Sequence, residues 1–371
     1  MRRWADRLLL VALALLPLHR PLVRESPHIG LADLIAGPAL ALALLMMRLP
    51  RAAWLRVGVL LLTLAPSVLV AADRPRAALQ LCGLVYVALL SGAAMALAAR
   101  RRRDGLVAII AGAALACALG FVVWERYPWM ALPRPVGSTE SPSMLSMIAL
   151  GGLFALRALH PSPPLGRRWL GQALTALFWL TLVVAQSRIL LAAIVGVAVD
   201  AWPRRRALAA TVAGAALALF AVSLVWRVVP PSATTPFIDT HPSPYAVCHD
   251  VAWRVFAAHP LAGVGLRGFH AAWPRYVDPV TAAAALSPLP PRPMDPHGTL
   301  QGYLAEAGLP ALVLLGFLAV DGWRRRGSTG YFVALLVASC TLDLLTERST
   351  WALVGLLSAG AHSARDASTK R

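Results

Sequence analysis

Charge is what this sequence has least of. Only 14% of its 371 residues are Asp, Glu, Lys or Arg, against 58% that are hydrophobic. A soluble domain of that size needs more polar surface, so a soluble globular fold is excluded. Lysine is nearly missing, with Lys370 alone. Cysteine is scarce at four. Cys82, Cys117 and Cys340 fall in apolar runs and Cys248 in a loop, with no CxxC spacing, so neither a disulfide framework nor a zinc ribbon is available. There is no Walker A motif, which argues against ATP hydrolysis. There is no DxD and no His/Asp/Glu cluster at metal-ligand spacing, so no cofactor is implied. Arginines, not Mg²⁺ or Mn²⁺, are left to stabilise any charge that develops.

What the sequence does have is apolar length. Hydrophobic runs fall at about 5–19, 31–47, 52–72, 77–99, 105–124, 142–159, 169–186, 188–202, 207–227, 299–320, 330–346 and 349–363. Most approach the ~20 residues that a bilayer crossing needs. The expectation is an all-α, polytopic helical membrane protein with about 12 transmembrane helices, or 11 if a short run does not cross. The N-terminal "MRRWADRLLLVALALLPLHRP" imitates a signal peptide but lacks a small-x-small cleavage site, and reads as an uncleaved first span. Helices 1–9 occupy 1–227, one large external loop 228–297, and the last helices and tail 298–371.

The formal net charge of +18 would suggest nucleic acid in a soluble protein. Here it follows from topology. With the N-terminus in the cytoplasm, the clusters "RLPR" (48–51), "RRRRD" (100–104), "RR" (167–168), "PRRR" (203–206) and "WRRRG" (323–327) all fall on one side, as the positive-inside rule requires. Both termini are then cytoplasmic, and no nucleic-acid partner is implied. Arginine in place of lysine, with abundant alanine, hints at a GC-rich bacterial genome. The external segment 228–297 holds 13 of the 29 prolines, which disfavours regular secondary structure. It also carries Trp253, Phe256, Phe269, Trp273 and Tyr276, a load unlike that of a tether. A short amphipathic helix at about 246–258 and a compact loop over the membrane face are expected, and long structured loops tend to be functional.

Few residues can carry chemistry, and each has a plain reading beside a functional one. Arg188, between two apolar runs, is either an arginine reaching the interface or a fixed guanidinium that holds an anion. In "WRVFAAHPLAGVGLRGF" (253–269), Gly263, Gly265 and Gly268 make a tight loop without the strand context of a dinucleotide fingerprint. The flanking Arg254 and Arg267 are loop-surface charges or members of the site. His297 is a structural hydrogen-bonder or, at the outer start of a span, a base for a hydroxyl proton. Glu306, Asp343 and Glu347 pair with Arg348 or another arginine, or serve a site, and Asp33 is equally open.

Those residues resemble the bacterial O-antigen ligase and O-antigen polymerase superfamily. "HPLAGVGLRGF" (259–269) is similar to that family's loop block. Ser187–Arg188 is similar to its arginine at the outer end of a middle helix. His297 and Gly308, in "HGTLQGYLAEAG", keep the ligase branch's histidine-to-glycine spacing. The similarity is strong over about 185–320 and only topological elsewhere. Two departures stand out. Gly298 replaces the usual Asn, Ser or Gln, and Tyr245 stands where an arginine is expected, which leaves any second phosphate-binding arginine open between Arg254 and Arg267.

The resemblance implies a metal-independent, inverting glycosyltransferase of the bacterial inner membrane. It would move a glycan from undecaprenyl diphosphate to a hydroxyl of lipid A-core at the periplasmic face. His297 would be the base, Arg188 with Arg267 or Arg254 would hold the diphosphate, and Glu306 and Gly308 would support them. An O-antigen or exopolysaccharide polymerase, or a protein-directed transferase, fits the same superfamily. A glycosyltransferase with a monosaccharide-phospholipid donor fits less well, because Glu25 and Asp33 lack the paired acidic context. A polysaccharide transporter would favour midplane polar sites and visible repeats.

Overall fold

The structure is a computed structural model that describes residues 2–18, 21–23, 29–125, 133–136, 138–139, 141–159, 168–203, 205–228, 238–286, 295–324 and 328–368. Among the described residues the chain is all-α apart from three short antiparallel ribbons. Its apolar runs fold as helices, the form in which each segment satisfies its own backbone polar groups. In order these are α1 (Arg2–Leu15), α2 (Leu31–Met46), α3 (Arg51–Val70), α4 (Arg74–Gly120), α5 (Pro142–Ala158), α6 (Arg168–Val184), α7 (Ile189–Ala201) and α8 (Arg206–Val225). The external segment follows. Then come α12 (Thr299–Ala307), α13 (Leu309–Arg324), α14 (Thr329–Ala338) and α15 (Arg348–Ser368).

Three of these helices, α3, α4 and α8, are long and apolar enough to cross a membrane by length and composition. Large apolar side chains are left bare on their outer faces, among them Leu62, Leu69 and Leu219. Exposed apolar area of that extent marks contact with something other than water.

The chain departs from the expected spans in three places. The "RRRRD" stretch was expected to be a loop between two helices. Instead it lies inside α4, which loses helical geometry only at Arg101 (φ −138°, ψ 43°). There α4 turns back on itself. Gly355 packs against Ser91, while its neighbour Leu356 packs against Gly105. At 1.5 Å per residue a straight helix would hold Ser91 and Gly105 about 21 Å apart. Asp6 of α1 clasps the bend through Arg100 (2.6 Å) and Arg101 (3.8 Å).

The run 299–320 breaks at Gly308, whose φ of 69° ends α12 in the left-handed region that glycine tolerates. The run 330–346 leaves the helix after Ala338. Residues 339–347 form an irregular segment stitched to the start of α12. Thr299 N donates to Ser339 O (2.8 Å), Thr299 Oγ1 donates to Leu342 O (2.8 Å), and Leu344 N donates to Thr299 Oγ1 (3.1 Å).

Buried ion pairs fasten the bundle. Arg56 of α3 reaches Asp321 of α13 at 2.7 Å and donates to Ser91 of α4 at 3.0 Å. Arg348 pairs with Asp33 of α2 (2.9 Å), which also accepts from Tyr86 (3.2 Å). Arg348 thus takes Asp33 as its carboxylate. Arg167, Arg204, Arg325 and Arg326 of the expected cytoplasmic clusters lie outside the described residues.

The segment 228–297 bears out the helix expected at about 246–258 and, with further helices, departs from the expectation drawn from its prolines. It contains a ribbon and three helices: β5 (Trp226–Val228) paired with β6 (Ile238–Pro242), then α9 (Pro244–Ala258), α10 (Phe269–Tyr276) and α11 (Pro279–Leu286). Pro244 and Pro279 begin their helices, where a missing N–H costs nothing. Cys248, expected in a loop, lies buried in α9. With Val251, Val255, Phe269 and Trp273, and with Ala305 of α12, it forms a small core at the top of α12, the part called the cap below. The other two ribbons are β1 (Pro21–Val23) with β2 (Ile29–Gly30), and β3 (Trp124–Glu125) with β4 (Arg134–Pro135).

Candidate functional site

The site begins with a weld between α8 and α9. Ser243 caps α9 by accepting the N–H of Ala246 (3.2 Å) and donates its own hydroxyl to the carbonyl of Leu224. Its N–H bonds Val225 O at 3.2 Å. The first turn of α9 is therefore fixed beside the last turn of α8. Arg188, in the turn between α6 and α7, reaches the same point. Its Nε donates to Ser223 Oγ (2.9 Å) and its Nη2 to the Ser223 carbonyl. Two of its five N–H donors are thereby used for orientation.

Tyr245 then falls directly on Arg188, with the guanidinium carbon 3.9 Å from the ring centroid. His297 lies 5.1 Å from the same ring, centroid to centroid. One tyrosine ring thus contacts both Arg188 and His297. The residue that stands in place of an expected arginine joins the two candidates. The stack is favourable in itself, since a cation over an aromatic face contributes about 0.5–2 kcal/mol according to its desolvation.

His297 is held in a left-handed backbone conformation (φ 44°), a region that costs a non-glycine residue about 1–3 kcal/mol and gathers at functional sites. Burial pushes its imidazole below the ordinary histidine value. The Asp295 carboxylate opposes that, and His249 and Arg188 reinforce it. The ring is therefore neutral at pH 7 and able to accept a proton. Asp295 is itself held below the usual carboxylate range by its hydrogen bond with His270 (3.1 Å), and that bond raises His270.

The two sequence blocks that carry the family resemblance dock on each other. Val264 N donates to Ala305 O (3.0 Å), Gly265 N to Glu306 O (2.9 Å) and Leu309 N to Pro260 O (2.8 Å). Gly263 (φ 63°) approaches so closely that a Cβ there would lie 2.3 Å from the Glu306 backbone, and a Cβ on Gly308 would lie 2.5 Å from Pro260 O. Gly308 thus owes its place to this contact as well as to the helix end. The Glu306 carboxylate accepts backbone N–H groups of Arg267 and Phe269, at the start of α10, where a helix N-terminus favours negative charge.

The predicted residues separate into two groups. Arg188 and His297 meet at Tyr245, while Arg267, Glu306 and Gly308 lie where the glycine loop docks on α12. Arg267 is solvent-exposed at φ 63°, within electrostatic reach of Asp295 and Glu306. Arg254 stands apart. Nine residues along α9 from Tyr245, it lies half a turn round the helix, where it pairs with Asp250 at 2.8 Å. Asp343 accepts from Leu345 N (3.0 Å) and lies 3.5 Å from the Tyr303 hydroxyl.

The sequence reading missed His249, one turn after Tyr245 on the same face of α9. The i, i+4 spacing in "YAVCH" was the available signal. It also missed Asp295 and His270. Asp295 is two residues from His297, but its partner His270 stands 25 residues away in sequence, so the pair has no local signature. Compared with known proteins, the chain matches no protein-family model and no curated sequence.

Proposed function

We propose that this chain is an O-antigen ligase-type glycosyltransferase of the bacterial inner membrane, with about twelve spans and both termini in the cytoplasm. It takes a glycan from undecaprenyl diphosphate and joins it to a hydroxyl of lipid A-core at the periplasmic face, without a metal. The observation that carries this reading is the stack of Arg188, Tyr245 and His297: a permanent cation and a neutral imidazole at one aromatic ring. In this reading α4 crosses twice because of its reversal at Arg101, and the segment that includes α9 to α11 is the periplasmic cap.

His297 removes the proton from the acceptor hydroxyl as its oxygen attacks the anomeric carbon. The bond from that carbon to the diphosphate oxygen breaks, and the electron pair leaves with the diphosphate. Arg188 neutralises the departing charge, and its Ser223 contacts hold it in place beforehand. Arg267 lies near enough to add to the positive potential. Attack opposite the leaving group inverts the anomeric centre.

The test uses purified protein, undecaprenyl diphosphate-linked glycan and lipid A-core. His297→Ala should lower transfer by about 10²–10⁴-fold, the usual contribution of a general base, while carrier binding persists. Undiminished transfer would remove the base. Gene deletion followed by glycan analysis sorts the acceptor. Uncapped lipopolysaccharide with long carrier-linked chains marks a ligase, and caps of a single repeat mark a polymerase.

A further inference from the structure

The glycine block that docks on α12 has a second neighbour. Gly265 approaches the end of α3 so closely that an added Cβ would lie 2.3 Å from the Ala71 backbone. Beside that contact opens a cavity of about 640 Å³, bounded by the end of α3 (Val70, Ala72), the loop (Pro260, Leu261) and α10 (Ala271, Arg275). Its size is that of a ligand site, about 300–1,000 Å³. The proposed transfer chemistry makes no use of it.

Two features of the cavity select an occupant. The first is its lining. Only two of the side chains that line it are polar, His259 and Arg275, and neither is a carboxylate. His259 is already bonded to the Tyr276 hydroxyl at 3.0 Å. Arg275 is exposed, and among the described residues no carboxylate pairs with it. The acidic residues nearest in sequence are engaged elsewhere. Asp278 accepts the backbone N–H of Thr281 at 3.0 Å and that residue's hydroxyl. Asp73, next to Ala72, pairs with Arg76 at 3.3 Å.

The second feature is place. The cavity stands at the end of α3, one of the helices long and apolar enough to cross a membrane. Its apolar wall runs on into the bare face of that helix, where Leu69 is 68% and Val70 51% exposed, and Leu261 of the loop is 76% exposed. Apolar area of that kind takes hydrocarbon. An uncancelled guanidinium takes a phosphate. A free phosphate would leave the walls bare, and an uncharged lipid would leave Arg275 unmatched.

We propose that this cavity holds an anionic phospholipid of the membrane, with its headgroup phosphate at Arg275 and an acyl chain along Val70 and Leu69 of α3. So placed, the lipid bridges α3 and the glycine block. The inference is independent of the transferase reading.

The experiment uses the full chain in phosphatidylcholine nanodiscs doped with a phosphatidylglycerol that carries a photoactivatable diazirine in its acyl chain. Crosslinks are mapped by peptide mass spectrometry. Label should fall on residues 69–72 and 258–275, and unlabelled phosphatidylglycerol should compete it away. Arg275→Gln should lower labelling there about fivefold, the worth of one arginine at an anionic lipid surface. Ala271→Trp, which fills the cavity, should abolish it. Melting curves check each variant first, and where Ala271→Trp does not fold, Ala271→Leu narrows the same wall and should lower labelling. Equal labelling by a diazirine phosphatidylcholine would mean unselective contact with surrounding lipid and would overturn the site. Competition by inorganic phosphate, or labelling that neither variant changes, would overturn it too.

Discussion

Arg56 and Arg188 lie in two regions that treat a buried cation in opposite ways. Within the bundle, three arginines find carboxylates: Arg56 has Asp321, the partly exposed Arg100 has Asp6 and Arg348 has Asp33. Beneath the cap, Arg188 is oriented by a hydroxyl, a carbonyl and an aromatic face. Among the described residues no carboxylate pairs with it. Removing a charge from water is costly, so a pair that cancels is a fastening and a charge left uncancelled expects an anion.

The bundle half of this comparison is open to the largest perturbation. Arg56→Met removes the ion pair that Asp321 makes at 2.7 Å and should cost about 3–5 kcal/mol, whereas Arg56→Met with Asp321→Leu should restore most of it. Thermal or denaturant unfolding of the four proteins of that cycle reads the coupling. A double-variant loss equal to the sum of the two single losses would mean that the pair is not a fastening.

The cap half is probed by Arg188→Gln. Transfer should fall about 10²–10³-fold, as when one preorganised donor is removed, with little change in melting temperature. A large stability loss with transfer retained would place Arg188 with the bundle arginines.

Gly263→Ala tests the docking of the cap on α12. A methyl group driven into the Glu306 backbone, at a positive φ, should destabilise by about 1–3 kcal/mol. Protease susceptibility of the 259–268 loop should rise with it.

The smallest effect is a shift along the pH axis. Because His297 is held below its ordinary value, it is neutral at pH 7, and transfer should fall only as pH drops through that lowered value, below about 6.5. The unfolded chain binds more protons in that range, so the fold also loses stability on acidification and recovers it above. Asp295→Asn removes the group that opposes the lowering, so the acid limb should move to still lower pH. A limb that moves upward would contradict the assigned base.

Much of the bundle was legible because apolar runs of span length leave few alternatives to helix. The breaks were less so. Gly308 followed by Leu309–Pro310 carries a helix-stop signal, yet it sits within an unbroken apolar run whose length argued for one span. Of the helices in 228–297, α9 was legible at about 246–258, and Pro244 directly after Ser243 marks its start; α10 and α11 were hidden by composition, since prolines counted in bulk argue against helix. Arg188 and His297 were legible through the resemblance and through the scarcity of ionisable residues. Their meeting at Tyr245 was not, because it depends on Ser243 and Ser223 fixing α9 against α8. Nor were the ion pairs, whose partners stand as far apart in sequence as Arg56 and Asp321, 265 residues.

The bonds from Val264, Gly265 and Leu309 make the glycine block and α12 a single rigid piece. Any lifting of that loop must therefore drag α12 with it, and so re-aim the imidazole at its head. In the proposed transferase, entry and chemistry would then be geared together: a raised loop would leave the proposed base out of line.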